Sequence, residues 1–407
     1  MDLEFRPISP EEFRAYYLAI ESAFGHIPTD EEIEIERVLA ELDRSTAVFD
    51  GSDIVGSAAA YTLELTVPGG MLPMAGVTGV AVVPTHRRRG ILTELMRRQL
   101  VDVHDREEPL AGLWASEGSI YQRFGYGPGT LQARFTIERT RTAFARPLPP
   151  DPGQVRMVDR DQAMAAMPAA YERIRPEIPG MVSRSGAWWT PLFSDTEHER
   201  DGASPLFFVL HEAEGRTDGY AAYRVKGGWE NGAPTGQARV HELMAANPAA
   251  YGALWRFVLN LDLVATVSTW RRPADEPLLF MLAEPRRLRL GLSDALWLRL
   301  IDVPAALAAR SYAGEGRLVL EVRDELCPWN EGRRELVAGP DGGDCRPTRD
   351  EPDLWVDVAD LAAVYLGGTT FERLRWAGRL SASSDEAVRR ADGLFRTPRA
   401  PWCPNVF

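Results

Sequence analysis

Hydrophobic positions in the first 145 residues recur with two spacings, one helical and one strand-like. Thr29 and Glu32 have the spacing of a capping box, which predicts that a helix begins there. The apolar face expected for this helix is Ile35, Val38, Leu39 and Leu42. Strand-like segments flank the hairpin signal Asp50-Gly51, and the second of them covers residues 54–67. Helix and strands together predict an α/β domain.

A second group of elements surrounds a short charged turn. Residues 77–83 are rich in valine and are therefore typical of a strand. A helix is predicted from about Gly90, and residues 110–115 are expected to form another short strand. The apolar face expected for this helix is Leu92, Leu95, Met96, Gln99 and Leu100.

The same order of elements returns after a proline-rich segment. Residues 146–153 contain four prolines and one glycine, which is typical of a semi-rigid linker. After it, strand, helix, two strands and helix are predicted at residues 155–158, 163–174, 219–225, 238–244 and 251–261. The first copy has Arg87-Arg88-Arg89-Gly90 where the second has Ala246-Asn247-Pro248-Ala249. We therefore expect two related domains, residues 1–145 and residues 153–292, of which the second is a structural copy.

The rest of the chain, residues 293–407, has a different pattern. Strands are predicted at residues 318–322 and 354–356, and helices near 358–365 and 371–377, which is typical of an α+β domain. The last twelve residues contain three prolines and must be largely extended. They also carry Trp402, Val406 and Phe407, so we expect this apolar end to dock on the protein.

The composition restricts the class of protein. A chain of 407 residues with 45% hydrophobic and 26% charged positions is typical of a globular protein of two or three domains. No apolar run is long enough to cross a bilayer, and the start lacks a signal-peptide pattern, so we expect a cytoplasmic protein without a membrane partner. The three cysteines lack metal-ligand spacing, which suits a reducing compartment and predicts neither a disulfide framework nor a metal site.

The net charge narrows the range of partners. A formal charge of −13 argues against a nucleic-acid partner, because such proteins present a basic face. An acidic protein can attract cationic amines, and the same charge also keeps a protein in solution. Charge by itself leaves both explanations open.

The turn after the valine-rich strand has the composition of an anion site. Arg87, Arg88 and Gly90 lie between a strand and a helix, where unsatisfied amides and the helix dipole favour an anion. Glycine allows close approach, and the arginines can pair with phosphates. A pyrophosphate site is predicted, with a solvated basic helix cap as the alternative. A dinucleotide fingerprint, G-x-G-x-x-G, is not present in this segment.

The segment of residues 77–92, VTGVAVVPTHRRRGIL, resembles the coenzyme A motif of the GNAT superfamily. Together with residues 115–127, ASEGSIYQRFGYG, it is similar to the Eis (enhanced intracellular survival) acetyltransferases of actinobacteria in particular. LEVRD at residues 320–324 and PWNEG at residues 328–332 resemble the sterol-carrier-like domain that ends those proteins. The resemblance implies two tandem GNAT folds, a mixed α/β and α+β architecture, an acetyl-CoA cofactor and a homo-hexamer.

The same resemblance implies roles for individual residues. Backbone contacts to the pantetheine arm fall at Val80 and Val82, and Ser116 lines the cofactor channel. Pyrophosphate contacts fall at Arg87, Arg88 and Gly90.

Acetyl transfer to an amine also needs an acid and a base. The resemblance assigns the acid to Tyr121, because a phenol with a pKa of about 10 can protonate a leaving thiolate. Tyr126 is the alternative. The base would be the terminal carboxylate at Phe407, acting through water or with a raised pKa. His26, His86 and His104 are rival bases; His86 is expected to be structural or phosphate-facing, and His104 to lie on the surface.

The expected substrate is a small cationic primary amine of an aminoglycoside, a polyamine or a lysine side chain. Phe24 and His26 are the predicted substrate-binding residues. Acidic residues could rim the cleft, or they could serve only the helix dipole: Asp30, Glu31, Glu32, Glu34 and Glu36. Val406 stands where the Eis family has an acidic residue, which leaves aminoglycosides open as substrates. The alternative functions are an apolar-ligand carrier with a vestigial acyltransferase domain and transfer of a longer acyl group.

Overall fold

The computed structural model describes residues 3–407, which form two compact units. The first unit consists of the chain up to Thr130, together with Ala295–Pro398 and Val406–Phe407. The second consists of Leu131–Asp294 and Arg399–Asn405. Among the described residues, no helix combines the length and the apolar character needed to span a membrane.

The first unit contains a seven-stranded sheet with four helices before residue 130. The strands are β1 (Glu4–Pro7), β2 (Ser45–Asp50), β3 (Asp53–Val67), β4 (Gly70–Val82), β5 (Leu110–Trp114), β6 (Gly127–Pro128) and β16 (Leu296–Leu300). The helices are α1 (Phe13–Ala23), α2 (Asp30–Arg37), α3 (Ile91–Asp105) and α4 (Gly118–Tyr121). The strand order is β1-β2-β3-β4-β5-β16-β6, and α3 connects the parallel strands β4 and β5.

Helices cover both faces of this sheet. Phe13 of α1 and Ile33 of α2 belong to one buried cluster, on the face opposite α3. Met96 and Leu100 of α3 pack with Val77 of β4 in another cluster. The predicted valine-rich strand and the helix after Gly90 are thereby confirmed.

The helix α2 is shorter than its predicted apolar face. Its capping box is confirmed, because the Thr29 hydroxyl accepts a hydrogen bond from the Glu32 amide. The helix ends at Arg37, however, so Val38, Leu39 and Leu42 were wrongly assigned to it. The chain has to turn before it enters β2, and Val38 is left exposed.

The second unit repeats this arrangement, as the sequence predicted. Its strands are β7 (Leu131–Glu138), β8 (Gln154–Val158), β9 (Phe207–Ala213), β10 (Arg216–Lys226), β11 (Trp229–Glu230), β12 (Ala233–Pro234), β13 (Gly236–Ala245), β14 (Val264–Pro273) and β15 (Gly291–Asp294). Its helices are α5 (Arg160–Ile174), α6 (Trp189–Leu192), α7 (Glu197–Arg200), α8 (Pro248–Leu259) and α9 (Leu278–Met281). The main sheet has the order β15-β7-β14-β13-β10-β9-β8. Here α8 connects the parallel strands β13 and β14.

A five-stranded sheet completes the first unit. Its strands are β17 (Gly316–Arg323), β18 (Gly332–Gly339), β19 (Gly342–Pro347), β20 (Leu354–Asp357) and β21 (Leu380–Ala382), in the order β19-β18-β17-β20-β21. The helices are α10 (Val303–Ala309), α11 (Val358–Tyr365), α12 (Phe371–Trp376) and α13 (Asp385–Phe395). The α+β prediction for this segment is confirmed.

The two seven-stranded sheets do not follow the expected domain limits. The strand β7 lies before residue 145, yet it pairs with β14 and β15 in the second unit. The strand β16 lies after residue 292, yet it pairs with β5 and β6 in the first. Each strand covers a sheet edge that would otherwise expose unpaired backbone groups. The predicted domain limits at residues 145, 153 and 292 therefore remain predictions.

Candidate active site

The parallel strands β4 and β5 separate part of the way along their length. They pair over only three residues each, from Met74–Leu110 to Gly76–Gly112. Beyond Gly76, β4 continues to Val82, and its N–H and C=O groups on that side are not used by β5. A ligand with amide groups can hydrogen-bond to such a strand edge.

A bulge in β4 lies in the same region. The register of β3 against β4 shifts by one residue between Ser57 and Ala59. Gly79, opposite this shift, has a φ of +59°, and the Ser57 hydroxyl donates to its carbonyl oxygen at 2.7 Å. Bulges of this kind redirect a strand next to a ligand site. This one precedes Val80 and Val82, the two residues predicted to contact the cofactor.

The turn after β4 presents backbone amides and positive charge. Gly90, with a φ of +83°, is the N-cap of α3 and supplies no capping side chain, so the first amides of α3 are open to an anion. The Arg87 guanidinium donates to the carbonyl oxygens of Val82 and Ala23, at 3.1 and 3.0 Å. Arg87 therefore holds the turn in place. Arg88 is exposed and makes no hydrogen bond to the part of the chain that is described.

A pocket of about 610 Å³ opens at this turn. Eight of the ten predicted site residues line it: Phe24, Val80, Val82, Arg87, Arg88, Gly90, Ser116 and Tyr121. His26 and Phe407 are not among its lining residues. The fold thus gathers segments that are about a hundred residues apart in the sequence.

The two candidate acids differ in their surroundings. Tyr121 lines the pocket and is 6% exposed; burial raises the pKa of its phenol, and a hydrogen bond with Ser116 opposes that shift. Tyr126 is completely buried, its hydroxyl has no hydrogen-bond partner among residues 3–407, and burial raises its pKa as well. Only Tyr121 has both a proton at neutral pH and access to the pocket.

The ring of Phe407 lies where β4 leaves β5. A Cβ atom on Gly76 would come within 2.5 Å of the Leu63 side chain and within 3.3 Å of this ring, so a larger residue there would displace Leu63 and crowd the ring. Gly76 pairs with Tyr61, and directly paired residues face the same side of a sheet. Val406 is 38% exposed, so it is not part of the docked end that was expected.

Acidic and aromatic side chains lie on the Tyr61 side of the sheet. The Glu36 carboxyl group is hydrogen-bonded to the Tyr61 hydroxyl, and its pKa is raised to about 7, first by burial and then by Glu21. The pKa of Tyr17 is raised by burial and by the charge of Glu36. The sequence pattern indicates Glu36 only as one of several possible rim acids and does not indicate Glu21, Tyr17 or Tyr61. The spacing of Tyr17 and Glu21 on one face of α1 was the available signal.

The predicted substrate-binding residues are only partly placed at the pocket. Phe24 lines it and is 54% exposed. The Nε2 atom of His26 lies 3.6 Å from the Glu32 carboxylate, at the start of α2. His26 is therefore close to the capping box rather than to the cofactor turn.

The other two histidines have structural contacts. The Nε2 atom of His86 lies 3.2 Å from the Asp50 carboxylate while the residue also lines the pocket, as expected for a histidine in the anion turn. The His104 ring stacks on Trp329, with the ring centres 4.1 Å apart, so it is more covered than a surface residue. Both stay alternative candidates for the base, and of the two only His86 lines the pocket.

This arrangement of donors fits coenzyme A. The free edge of β4 matches the amides of a pantetheine arm, and the open amides of α3 with Arg88 match a pyrophosphate. Nothing lies within 4 Å of the place where a Cβ atom on Gly90 would stand, so a phosphate can approach the backbone closely.

Comparisons with known proteins agree with this arrangement. Residues 4–129 and residues 180–300 each match a family model described as an acetyltransferase (GNAT) domain. Residues 303–404 match a model described as a sterol carrier protein domain.

Full-length relatives extend the similarity to the whole chain. An uncharacterized N-acetyltransferase of Streptomyces avermitilis is 42% identical over 409 residues and covers 100% of both chains. The N-acetyltransferase Eis of Mycobacterium tuberculosis is 36% identical over 95% of this chain and 94% of its own. The crystal structure of Eis1 from Mycobacterium abscessus is 37% identical, with a TM-score of 0.85 over 100% of both chains. The chain belongs to the Eis family of GNAT N-acetyltransferases, enzymes that use acetyl-CoA.

Proposed function

We propose that this enzyme acetylates primary amines of small cationic substrates, with the reaction centred between Tyr121 and Phe407. The observation that carries the proposal is the parting of β4 and β5. A cofactor pocket with Tyr121 opens beyond that point, and the ring of Phe407 lies at it. Acetyl-CoA would supply the activated acyl group.

The cofactor would be held mainly by backbone groups. The β4 edge at Val80 and Val82 offers amides and carbonyls to the pantetheine arm, and Ser116 lines the same channel. Gly90 and Arg88 would take the pyrophosphate, whereas Arg87 keeps the turn rigid through its two carbonyl contacts. Such positioning brings the reacting groups together at little further entropic cost.

Proton transfer would use Tyr121 as the acid and the terminal carboxylate of Phe407 as the base. Tyr121 keeps its proton because burial raises its pKa, and it can give that proton to a leaving sulfur. The backbone carboxylate of Phe407 would take the proton of the attacking amine through water, because a free carboxylate has a pKa of only about 3.5.

Cationic substrates are favoured by the acidic side of the sheet. Glu36 and Glu21 lie near Tyr61, which pairs with Gly76 beneath the Phe407 ring. A protonated amine would compensate the buried carboxyl charge, and aromatic faces can support a cation. Aminoglycosides, polyamines and lysine side chains all supply such amines, and Val406 in place of an acidic residue leaves the choice among them open.

Assembly into a homo-hexamer in the cytoplasm is part of the proposal. Large apolar side chains are exposed at Trp270, Phe280 and Trp376, as expected of a protein that covers them with partners. None of the three cysteines forms a disulfide, which suits a reducing compartment. Sedimentation at several concentrations would measure the assembly, and a stable monomer would contradict it.

The decisive experiment follows thiol release from acetyl-CoA with an aminoglycoside, spermidine and a lysine peptide as acceptors. We expect turnover with at least one amine, and loss of about a hundredfold or more in kcat for Tyr121→Phe and for deletion of Phe407. Tyr126→Phe is the matched control: it removes a buried hydroxyl that has no partner, so activity and stability should be kept. Full turnover in both active-site variants would disprove the assigned roles.

A further inference from the structure

The second sheet repeats the separation of parallel strands seen at the cofactor pocket. The strands β13 and β14 pair from Gly236–Val264 to Val240–Thr269, and β13 then continues to Ala245. A one-residue bulge between β10 and β13 directly follows this point, and the bulge between β3 and β4 likewise follows the end of pairing in the first sheet. The second unit therefore contains a cleft of the same design.

In the second unit this cleft is filled by the protein itself. Trp402 and Pro404 lie against residues 241–243 and 269–272, and the space left among them is about 10 Å³. That volume holds about one water molecule. The corresponding pocket in the first unit has about 610 Å³. The segment of residues 402–405, here called the C-terminal plug, takes the place of a ligand.

Trp402 is the hydrophobic anchor of the C-terminal plug. It is 4% exposed, and its indole N–H donates to the carbonyl oxygen of Arg271 at 2.8 Å. Its backbone amide donates to the carbonyl oxygen of Pro179, also at 2.8 Å. The guanidinium of Arg271 in turn donates to the carbonyl oxygen of Pro404 at 3.4 Å. Hydrogen bonds thus hold both the backbone of the plug and the side chain of Trp402.

Asn405 is the polar anchor of the C-terminal plug. Its side-chain oxygen accepts from the Arg184 guanidinium at 3.0 and 3.2 Å and lies 3.3 Å from the Tyr171 hydroxyl, which donates to the Val182 carbonyl oxygen at 2.7 Å. Arg184 is itself paired with Glu242 at 2.6 Å, and both side chains are buried. The Asn405 amide nitrogen has no partner among residues 3–407. The contacts therefore select an acceptor oxygen at this position.

We propose that the cleft of the second acetyltransferase fold is a binding site for the C-terminal plug, and that Asn405 and Trp402 are positioning residues for Phe407. Phe407 follows Asn405 by two residues, a reach of at most about 7 Å. Fixing Asn405 consequently confines Phe407 to within that reach of the plug. The inference rests on the proposed role of Phe407 in proton transfer.

This assignment gives the second fold a function without a cofactor. Its turn after β13 has Ala246-Asn247-Pro248 in place of the arginines, and Asn247 caps α8 by accepting from the Ala250 amide at 2.9 Å. The helix start that would bind a pyrophosphate is thus capped by a side chain, and the cleft is filled.

The test compares Asn405→Leu with Asn405→Asp in the full chain. Carboxypeptidase release of Phe407, kcat and the acetyl-CoA Kd are measured for each. For Asn405→Leu we expect release to be about tenfold faster or more and kcat to be about tenfold lower, because hydrogen bonds from a charged partner are lost, while Kd stays within about twofold. Asn405→Asp keeps the acceptor oxygen, so its Phe407 release rate and its kcat should be close to those of the unaltered enzyme.

Two further variants distinguish loss of the plug contacts from a general effect of mutation on release and kcat. Trp402→Phe loses the indole donor and part of the packed ring, and it should accelerate release about fivefold, which provides a test if Asn405→Leu does not fold. Asn260→Leu changes a side chain in the same unit that donates to the Arg256 carbonyl and not to the plug, so it should change neither release nor kcat. Unchanged release in folded Asn405→Leu or in Trp402→Phe would overturn the proposal. Faster release with unchanged kcat would overturn the positioning role if deletion of Phe407 abolishes turnover. If that deletion is also harmless, the proposed base fails while the plug site stands.

Discussion

Tyr121 and Tyr126 carry the same hydroxyl group in different surroundings. Both phenols are buried enough to raise their pKa, yet Tyr121 reaches the pocket and Ser116, whereas the Tyr126 hydroxyl finds no partner within residues 3–407. The sequence motif that contains both residues cannot separate them. Access to the pocket, which depends on packing, makes the difference.

Glu36 gives a pH-dependent prediction at the residue scale. Its pKa is raised from an ordinary value of 4.5 to about 7 by burial, so the folded protein keeps a proton that the unfolded chain loses. Stability should therefore fall as pH rises from about 4.5 to about 7 and stay reduced above that range. We expect Glu36→Gln to raise Tm at pH 8 and to leave it unchanged at pH 4.5.

Thermal unfolding at several pH values provides the measurement. Glu31→Gln, on the same helix and exposed, is the matched control and should leave the pH profile of the unaltered enzyme intact. A Glu36→Gln profile parallel to that of the unaltered enzyme would mean that Glu36 ionises normally.

At the scale of single elements, the turn between β4 and α3 combines two tasks. Arg87 bonds to the carbonyls of Val82 and Ala23 and so ties the turn to the end of α1. Arg88 and the first amides of α3 remain available to an anion. The sequence treats the two arginines as equivalent, whereas the structure gives Arg87 two carbonyl partners and leaves Arg88 exposed, without a hydrogen bond to the described residues.

Gly90→Ala tests this turn. A left-handed residue with a Cβ costs about 1 kcal/mol, and nothing in the protein lies within 4 Å of that Cβ. We expect a small loss of stability but about a tenfold weaker acetyl-CoA Kd, because the methyl group keeps a phosphate from the backbone. Gly215→Ala is the control: Gly215 has a φ of +75°, equally open space and a position in a hairpin of the second unit. Equal Kd values for the two variants would place the pyrophosphate elsewhere.

At the scale of the whole molecule, one fold occurs twice in different roles. Both sheets contain parallel strands that part just before a bulge in the longer strand. The first fold keeps the space open, with arginines at the turn. The second lacks the arginines and holds the C-terminal plug in its cleft.

This difference predicts one acetyl-CoA per chain. Calorimetric titration of the full-length enzyme should give a stoichiometry of about one per chain, because only the first fold has both the open cleft and the anion turn. Asn405→Leu should bind the same single equivalent, since loosening the plug does not supply the missing arginines. Two equivalents in either protein would show that the second cleft accepts coenzyme A.

Short-range patterns in the sequence predicted the elements and most of the residues that line the candidate cofactor pocket. The capping box at Thr29, the strand before the arginines, the helix after Gly90 and the repeated order of elements depend on neighbours within a few turns, so they can be read from residue spacing. The pocket residues at the turn and at Ser116 come from a contiguous motif and a nearby one.

The remaining features of the fold and the site depend on contacts between residues far apart in the sequence. The exchange of β7 and β16 between sheets, the contact of the Phe407 ring with Gly76, and the grouping of Glu36 with Tyr61 join residues far apart in the chain. No local period encodes such pairings, because they arise when sheet edges are covered and side chains meet across elements. For the same reason, the sequence predicted an apolar end that docks, but only the tertiary structure placed Trp402 and Asn405 in the cleft of the second fold.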